Sequence, residues 1–243
     1  MFMFLRFSRQ LIALAHRRHA VLPWALAPAM LLSCFGNVAV SADEFEKVAI
    51  YLERNIQDED AEVKFEASAP DVGLTVFRVV APNGLMVIDF KAPNSKIGIR
   101  HFTLERGEPK NDGKLQADFP TGKYKFTGMT TGGATLNGEA VLRHEFPAAA
   151  SVANPLPDAK NVPSVGLRVT WTGVNDVEAI TVEIEQEETG QEVHARLPGL
   201  ATTFAVPDEF LRPAKTYKIG IGTIARGGNK TVTESGFTTA AKK

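Results

Sequence analysis

The sequence predicts an all-β protein built as two β-sandwiches in tandem behind a cleaved export signal. Three observations predict it. Apolar and polar residues alternate with period two from residue 48 onward, turn residues recur at short regular intervals, and a basic then apolar N-terminus ends in small residues.

The N-terminal element comes first. Arg6, Arg9, Arg17 and Arg18 precede an apolar run from Ala20 to Phe35, followed by Val40-Ser41-Ala42. A positive end stays on the cytoplasmic side while the apolar middle enters the bilayer, so residues 1–42 read as a signal peptide. Pro23 and Pro28 interrupt the run, and it falls short of the about 20 apolar residues of a membrane span. After cleavage the chain starts at Asp43 with no integral membrane span. Leu31-Leu32-Ser33-Cys34 resembles a bacterial lipobox, but Leu32 stands where that motif has a small residue, so lipidation at Cys34 is the lesser expectation.

The 27 Lys and Arg less those four arginines leave 23 bases against 28 acids after residue 42, a net charge of −5. That balance repels phosphate polyanions and argues against nucleic acid as a partner. Cys34 is the single cysteine, so a chain cut after Ala42 has no disulfide, thiolate metal site or cysteine nucleophile. A periplasmic or extracellular location follows from export.

The mature strands follow in order. Val48, Ile50 and Leu52 alternate with Lys47, Ala49, Tyr51 and Glu53; Val63, Phe65 and Ala67 alternate with Glu62, Lys64 and Glu66. Further strands are expected at 74–77, 85–90, 102–104, 124–126 and 140–142. Ala69-Pro70-Asp71, Ala81-Pro82-Asn83 and Ala92-Pro93-Asn94 separate them. Proline presets the first corner of a β-turn, and Asp or Asn supports the second with its own side chain. Pro120-Thr121-Gly122-Lys123-Tyr124 is another turn leading into a strand. Domain one is expected over 43–147. Residues 148–155, rich in small residues and proline without alternation, read as a semi-stiff linker, and 156–243 form domain two.

The second domain carries a resemblance. Val169-Thr170-Trp171 is similar to the second strand of fibronectin type III domains, whose tryptophan plugs the core. Leu211-Arg212-Pro213-Ala214-Lys215-Thr216-Tyr217 resembles their Leu-x-Pro-x-x-x-Tyr signature, and Phe237-Thr238-Thr239 their closing strand. The resemblance covers about residues 156–240 and implies a tyrosine corner, in which the Tyr217 hydroxyl hydrogen-bonds back to the chain. Gly220 and Gly222 inside a strand, and Gly227-Gly228 in the following hairpin, depart from the pattern. No Arg-Gly-Asp occurs in that hairpin. The first domain, placed in no family by its residues, is read as another immunoglobulin-like sandwich.

No spacing selects a catalytic, metal or cofactor site. Asp58-Glu59-Asp60-Ala61-Glu62 is the densest acidic run but lacks the Asp-x-Asn-x-Asp-Gly spacing that wraps a cation, and reads as a solvated hairpin loop. Glu185, Glu187 and Glu188 read as a charged turn. His101, His144 and His194 lie on separate expected strands. There is no Gly-x-Ser-x-Gly elbow, and Ser235-Gly236 reads as a turn or bulge. Phe77, Phe102, Tyr51 and Tyr124 offer rings to a sugar, yet mostly fit inward positions, and Trp171 is a core residue. Asn229-Lys230-Thr231 matches a glycosylation acceptor.

The reading that follows is a non-enzymatic exported binding, adhesion or scaffolding protein. Its partner is expected to be another envelope or extracellular protein, or a surface polysaccharide, met by sandwich edges and loops. A carbohydrate-directed module or cryptic hydrolase with dispersed residues is one alternative, and a structural spacer in an envelope assembly is another.

Overall fold

The computed structural model describes residues 43–92, 96–106 and 112–242. The segment expected as an export signal, Cys34 and the expected Pro93-Asn94 turn lie outside the described residues. Among those described, no helix is long and apolar enough to cross a membrane.

The chain is all-β, in two sandwiches. The first packs β2 (Lys47–Asn55), β3 (Asp60–Ser68) and β6 (His101–Arg106) on a second sheet. That sheet runs β1 (Asp43–Glu44), β8 (Thr135–Leu142), β7 (Gly122–Thr130), β4 (Leu74–Val80), β5 (Met86–Lys91). The expected alternation places Ile50, Leu52, Val63 and Phe65 of one sheet against Phe77, Val79, Phe126 and Leu136 of the other. The short helix α1 (Asp112–Asp118) leads to Phe119, and Leu115 and Phe119 both reach this core.

The turns form as their residues dictate. Gly73 N–H donates to Pro70 O at 2.8 Å and Gly84 N–H to Ala81 O at 2.9 Å. Leu85 N–H donates to Asn83 Oδ1 at 3.1 Å, the side-chain support an Asx residue supplies. Gly84 takes φ +82°, a region that favours glycine.

The second sandwich packs β9 (Val152–Asn154), β11 (Arg168–Trp171) and β14 (Thr203–Ala205) on a sheet running β13 (Gln191–Pro198), β12 (Ala179–Gln186), β15 (Thr216–Ile224), β16 (Lys230–Thr239). The strand β10 (Ala159–Val162) pairs with the end of β16 in parallel. This is a fibronectin type III-like fold, with the anchors where the resemblance implies them. Trp171 is buried and donates its indole N–H to Ala201 O at 2.8 Å. Tyr217 is buried between Phe210 and Phe237; its hydroxyl accepts from Arg212 N–H at 2.7 Å and donates to Phe210 O at 3.3 Å.

Apart from the order of its first two strands, the first sandwich repeats this connectivity. Three strands (β2, β3, β6) face four (β5, β4, β7, β8), and β1 joins β8 in parallel as β10 joins β16. It also has a tyrosine corner. The buried Tyr124 donates its hydroxyl to Pro120 O at 3.0 Å, and Pro-x-x-x-Tyr recurs at 120–124 and 213–217.

The two sandwiches share a sheet. Lys230, Thr231 and Val232 of β16 pair in parallel with Glu53, Arg54 and Asn55 of β2, joining one sheet of each sandwich into a continuous eight-stranded sheet. Within 148–155, the stretch expected as a linker, Ala150 is buried in the second core and β9 forms.

Tyr217→Phe leaves the Arg212 N–H without its acceptor, and is expected to lower unfolding free energy by about 2 kcal/mol. Tyr124→Phe removes one donated bond and is expected to cost about 1 kcal/mol. Urea unfolding of both variants measures the difference.

Candidate binding groove

The shared sheet determines what lies between the sandwiches. Asn229, immediately before β16, is 2% exposed. Its Oδ1 accepts from Leu52 N–H at 2.9 Å, and its Nδ2 donates to Arg143 O at 2.9 Å and Glu145 O at 2.8 Å. Thr231 Oγ1 donates to Pro147 O and Thr223 Oγ1 to Ala148 O, both at 2.8 Å. The Arg54 guanidinium lies 3.9 Å over the Phe146 ring. The segment 143–148 is therefore held by side chains of the second sandwich and by Arg54 of the first. The glycosylation acceptor pattern falls on a residue whose amide is buried and occupied.

Beside this junction runs a groove of about 780 Å³. Its floor is β2 from Lys47 to Tyr51, one wall is β8 from Glu139 with Arg143 beyond it, and the other carries Glu178, Thr181 and Arg196. The β15–β16 turn, Ala225 to Gly228, closes one end.

The charges lining the groove are mostly paired. Lys47 and the Tyr51 hydroxyl both donate to Glu66, the latter at 2.7 Å. Lys230, whose side chain is only 12% exposed, reaches Glu53 at 3.4 Å and Glu183 at 3.3 Å. Glu139 meets Lys123 at 2.8 Å and Glu178 meets Arg196 at 3.4 Å. Gly222 makes room for Lys230, since a Cβ there would lie 2.4 Å from Lys230 Cε. The unusual strand glycine is thus a trough for a lysine stem. Arg143 and Arg226 are exposed and meet no carboxylate among the described residues.

Burial raises the Tyr51 phenol well above its ordinary range, and its bond to Glu66 adds to this. Burial alone would raise Glu66, yet the bonds from Lys47 and Tyr51 outweigh it and hold the carboxyl below its usual value. Lys64 lies 2.9 Å from Glu62, 3.2 Å from Glu105 and 3.5 Å from Glu53. Burial pulls its ammonium down, but these three carboxylates prevail and it is raised. Glu62 is raised, burial outweighing its bond from Lys64.

No protein-family model matches the sequence. No match to it was found among curated proteins. Among solved structures, the fibronectin type III domain of human collagen alpha-1(XX) chain is 22% identical, covering 41% of this chain and 88% of that one, with a TM-score of 0.30. A segment of two fibronectin type III domains from chicken tenascin is 12% identical over 81% of this chain and all of that one, TM-score 0.31. The fibronectin(III)-like modules of Clostridium thermocellum CbhA are 6% identical over 82% and 93%, TM-score 0.34.

The other sequence candidates sit elsewhere. Asp58 and Glu59 form the exposed β2–β3 turn, where Asn55 Nδ2 donates to Asp58 at 2.7 Å, while Asp60 and Glu62 enter β3. Glu185 lies on β12, and Glu188 pairs with Lys215. Ser235 and Gly236 lie within β16. His101 meets Ser68 Oγ at 3.3 Å, His144 meets Phe119 O at 2.8 Å and His194 meets Glu192 at 2.6 Å, each a local contact. Phe77, Phe102, Tyr124 and Trp171 pack in or against the cores. Tyr51 is the exception, facing outward into the groove. Sequence reasoning named Asn229 only within a glycosylation pattern and missed Arg143 and Arg226; the departures at Gly222 and Gly227-Gly228 also marked the region.

Asn229→Ala frees Leu52 N–H and two carbonyls, and is expected to cost about 3 kcal/mol in urea unfolding, with faster proteolysis between residues 143 and 148. Absorbance at 295 nm tests the phenols. Tyr124 is pushed up to about 12 by burial, and Tyr51 is raised also. Both folded values lie above the unfolded value of about 10. Their contribution to stability is therefore complete below pH about 10 and is lost as pH rises through the folded values. Neither phenol should ionise at pH about 10 until the protein unfolds.

Proposed function

We propose that this is an exported, non-enzymatic binding protein that recognises another envelope or extracellular protein through the groove between its sandwiches. The observation that carries the reading is the groove itself. It joins main chain from one sandwich to side chains from both, and Arg143 and Arg226 stand there with no carboxylate partner among the described residues. Loops and strand edges on a rigid sandwich are a common recognition surface.

The continuous sheet favours a second role as spacer. Pairing of β16 with β2, together with the Asn229 bonds, fixes one sandwich on the other where a flexible connection would let them swing. A recognition surface made from both domains needs that same fixity, so the two roles are compatible.

Crosslinking in the native host's envelope, followed by mass spectrometry of the N-terminus and of recovered partners, tests the proposal. The expected result is a chain starting at Asp43, with one reproducible protein partner that the double variant Arg143→Gln/Arg226→Gln recovers poorly. A start at lipidated Cys34 would overturn the processing, and recovery without any protein partner would overturn protein recognition.

A further inference from the structure

Main-chain groups of β2 face the groove, and among the described residues no strand pairs with them there. Ile56 N–H donates to Val232 O at 3.0 Å, and Leu52 N–H donates to Asn229 Oδ1 at 2.9 Å. Successive residues of a strand direct their N–H and C=O to opposite edges. Even-numbered residues of β2 therefore point away from β3 and toward the edge that β16 occupies. That strand pairs with β2 only at Glu53–Asn55, whereas β3 pairs along the whole of Lys47–Asn55. Val48 and Ile50 are left directing two N–H and two C=O groups into the groove, and among the described residues no strand pairs with them there.

The open stretch from Lys47 to Leu52 is about 20 Å long. It ends at Asn229 and the β15–β16 turn. At that end stand Arg143 and Arg226, which meet no carboxylate among the described residues. A Cβ on Gly227 would lie 3.3 Å from Arg143 Nη1, so the guanidinium rests against the turn that carries Arg226. The acids lining the groove already have partners, as described above, and leave this end positive.

We propose, resting on the reading of the groove as a recognition surface, that it takes an extended peptide segment of a partner protein. The segment adds as a strand to Val48 and Ile50, in line with β16, and presents a carboxylate to Arg143 and Arg226. Main-chain hydrogen bonds give affinity to such an added strand, and side-chain pockets give it specificity. A guanidinium pair matches carboxylate geometry with short charge-assisted bonds. An acidic polysaccharide would satisfy the arginines but supplies no run of amide groups to match the edge of β2.

The test selects from a displayed library of random peptides about ten residues long, long enough to span the open edge, on the purified protein. The expected peptides carry Asp or Glu toward one end and bind at least about tenfold more weakly to Arg143→Gln/Arg226→Gln. Saturation with a selected peptide should slow amide exchange at Val48 and Ile50 at least about tenfold, and a proline at the peptide's centre should abolish binding. Peptides that bind the double variant undiminished, or protect amides elsewhere, overturn the inference and leave a binding role standing. Polygalacturonate binding that depends on both arginines, with no peptide selected, overturns the peptide and keeps the groove. Binding of neither probe overturns this inference, and the partner search in the host envelope then decides the wider reading on its own.

Discussion

The arrangement of the two sandwiches depends on one buried amide. An asparagine side chain offers two donors and an acceptor oxygen with two lone pairs. Asn229 uses three of these four positions on main-chain groups of the first sandwich and of the segment leading out of it. Buried polar groups are costly unless paired, so the amide is satisfied only when Leu52, Arg143 and Glu145 are all in place. Short parallel pairing of β16 with β2 is a weak element on its own, three residues long. The amide fixes its register, because Leu52 N–H finds its acceptor only where Lys230 stands opposite Glu53.

Charge follows the same seam. Glu53 is shared by Lys230 from the second sandwich and Lys64 from the first, at 3.4 and 3.5 Å. Both ammonium groups are largely screened from water, 12% and 15% exposed, where an unpaired charge would be costly. A carboxylate serving two partly buried lysines couples the sandwiches electrostatically. The gain over solvent is modest for each pair, but separation would leave Lys230 without Glu53. Gly222 belongs to this network, since any side chain there displaces the Lys230 stem.

How much of this the sequence discloses depends on the range of each interaction. The cores are legible because burial with period two is written into neighbouring residues, as in Ile50 and Leu52 or Val182 and Ile184. The tyrosine corner at Tyr217 is legible because its partners, Phe210 and Arg212, lie within seven residues. The corner at Tyr124 has the same proline spacing, yet Phe119 directly precedes Pro120 where Leu211 stands two residues before Pro213. That change hides the likeness of the two corners from a signature. The junction is hidden for a stronger reason. Leu52 meets Asn229, and Gln57 meets Glu234, across 177 residues of chain. The Pro- and Ala-rich stretch near 148 shows no period because side chains from β15 and β16 hold its carbonyls, so its own side chains need not alternate.

The open edge of β2 has to be reconciled with the hazard such edges carry. An unpaired strand is a template for indiscriminate association, and proteins blunt it with charge, proline or cover. The edge strand β13 bears Glu192, His194 and Arg196 and ends at Pro198; β6 bears His101, Glu105 and Arg106. Val48, Ala49 and Ile50 carry no charge at all. Their protection is enclosure. β8 approaches so closely that a Cβ on Gly138 would lie 3.0 Å from Val48 Cγ2, and the β15–β16 turn stops the groove at its far end. Neighbouring elements thus limit the length of strand that can be added, and the arginines limit its charge. An edge guarded by shape rather than by its own side chains stays capable of pairing, which the charged edges of β13 and β6 do not.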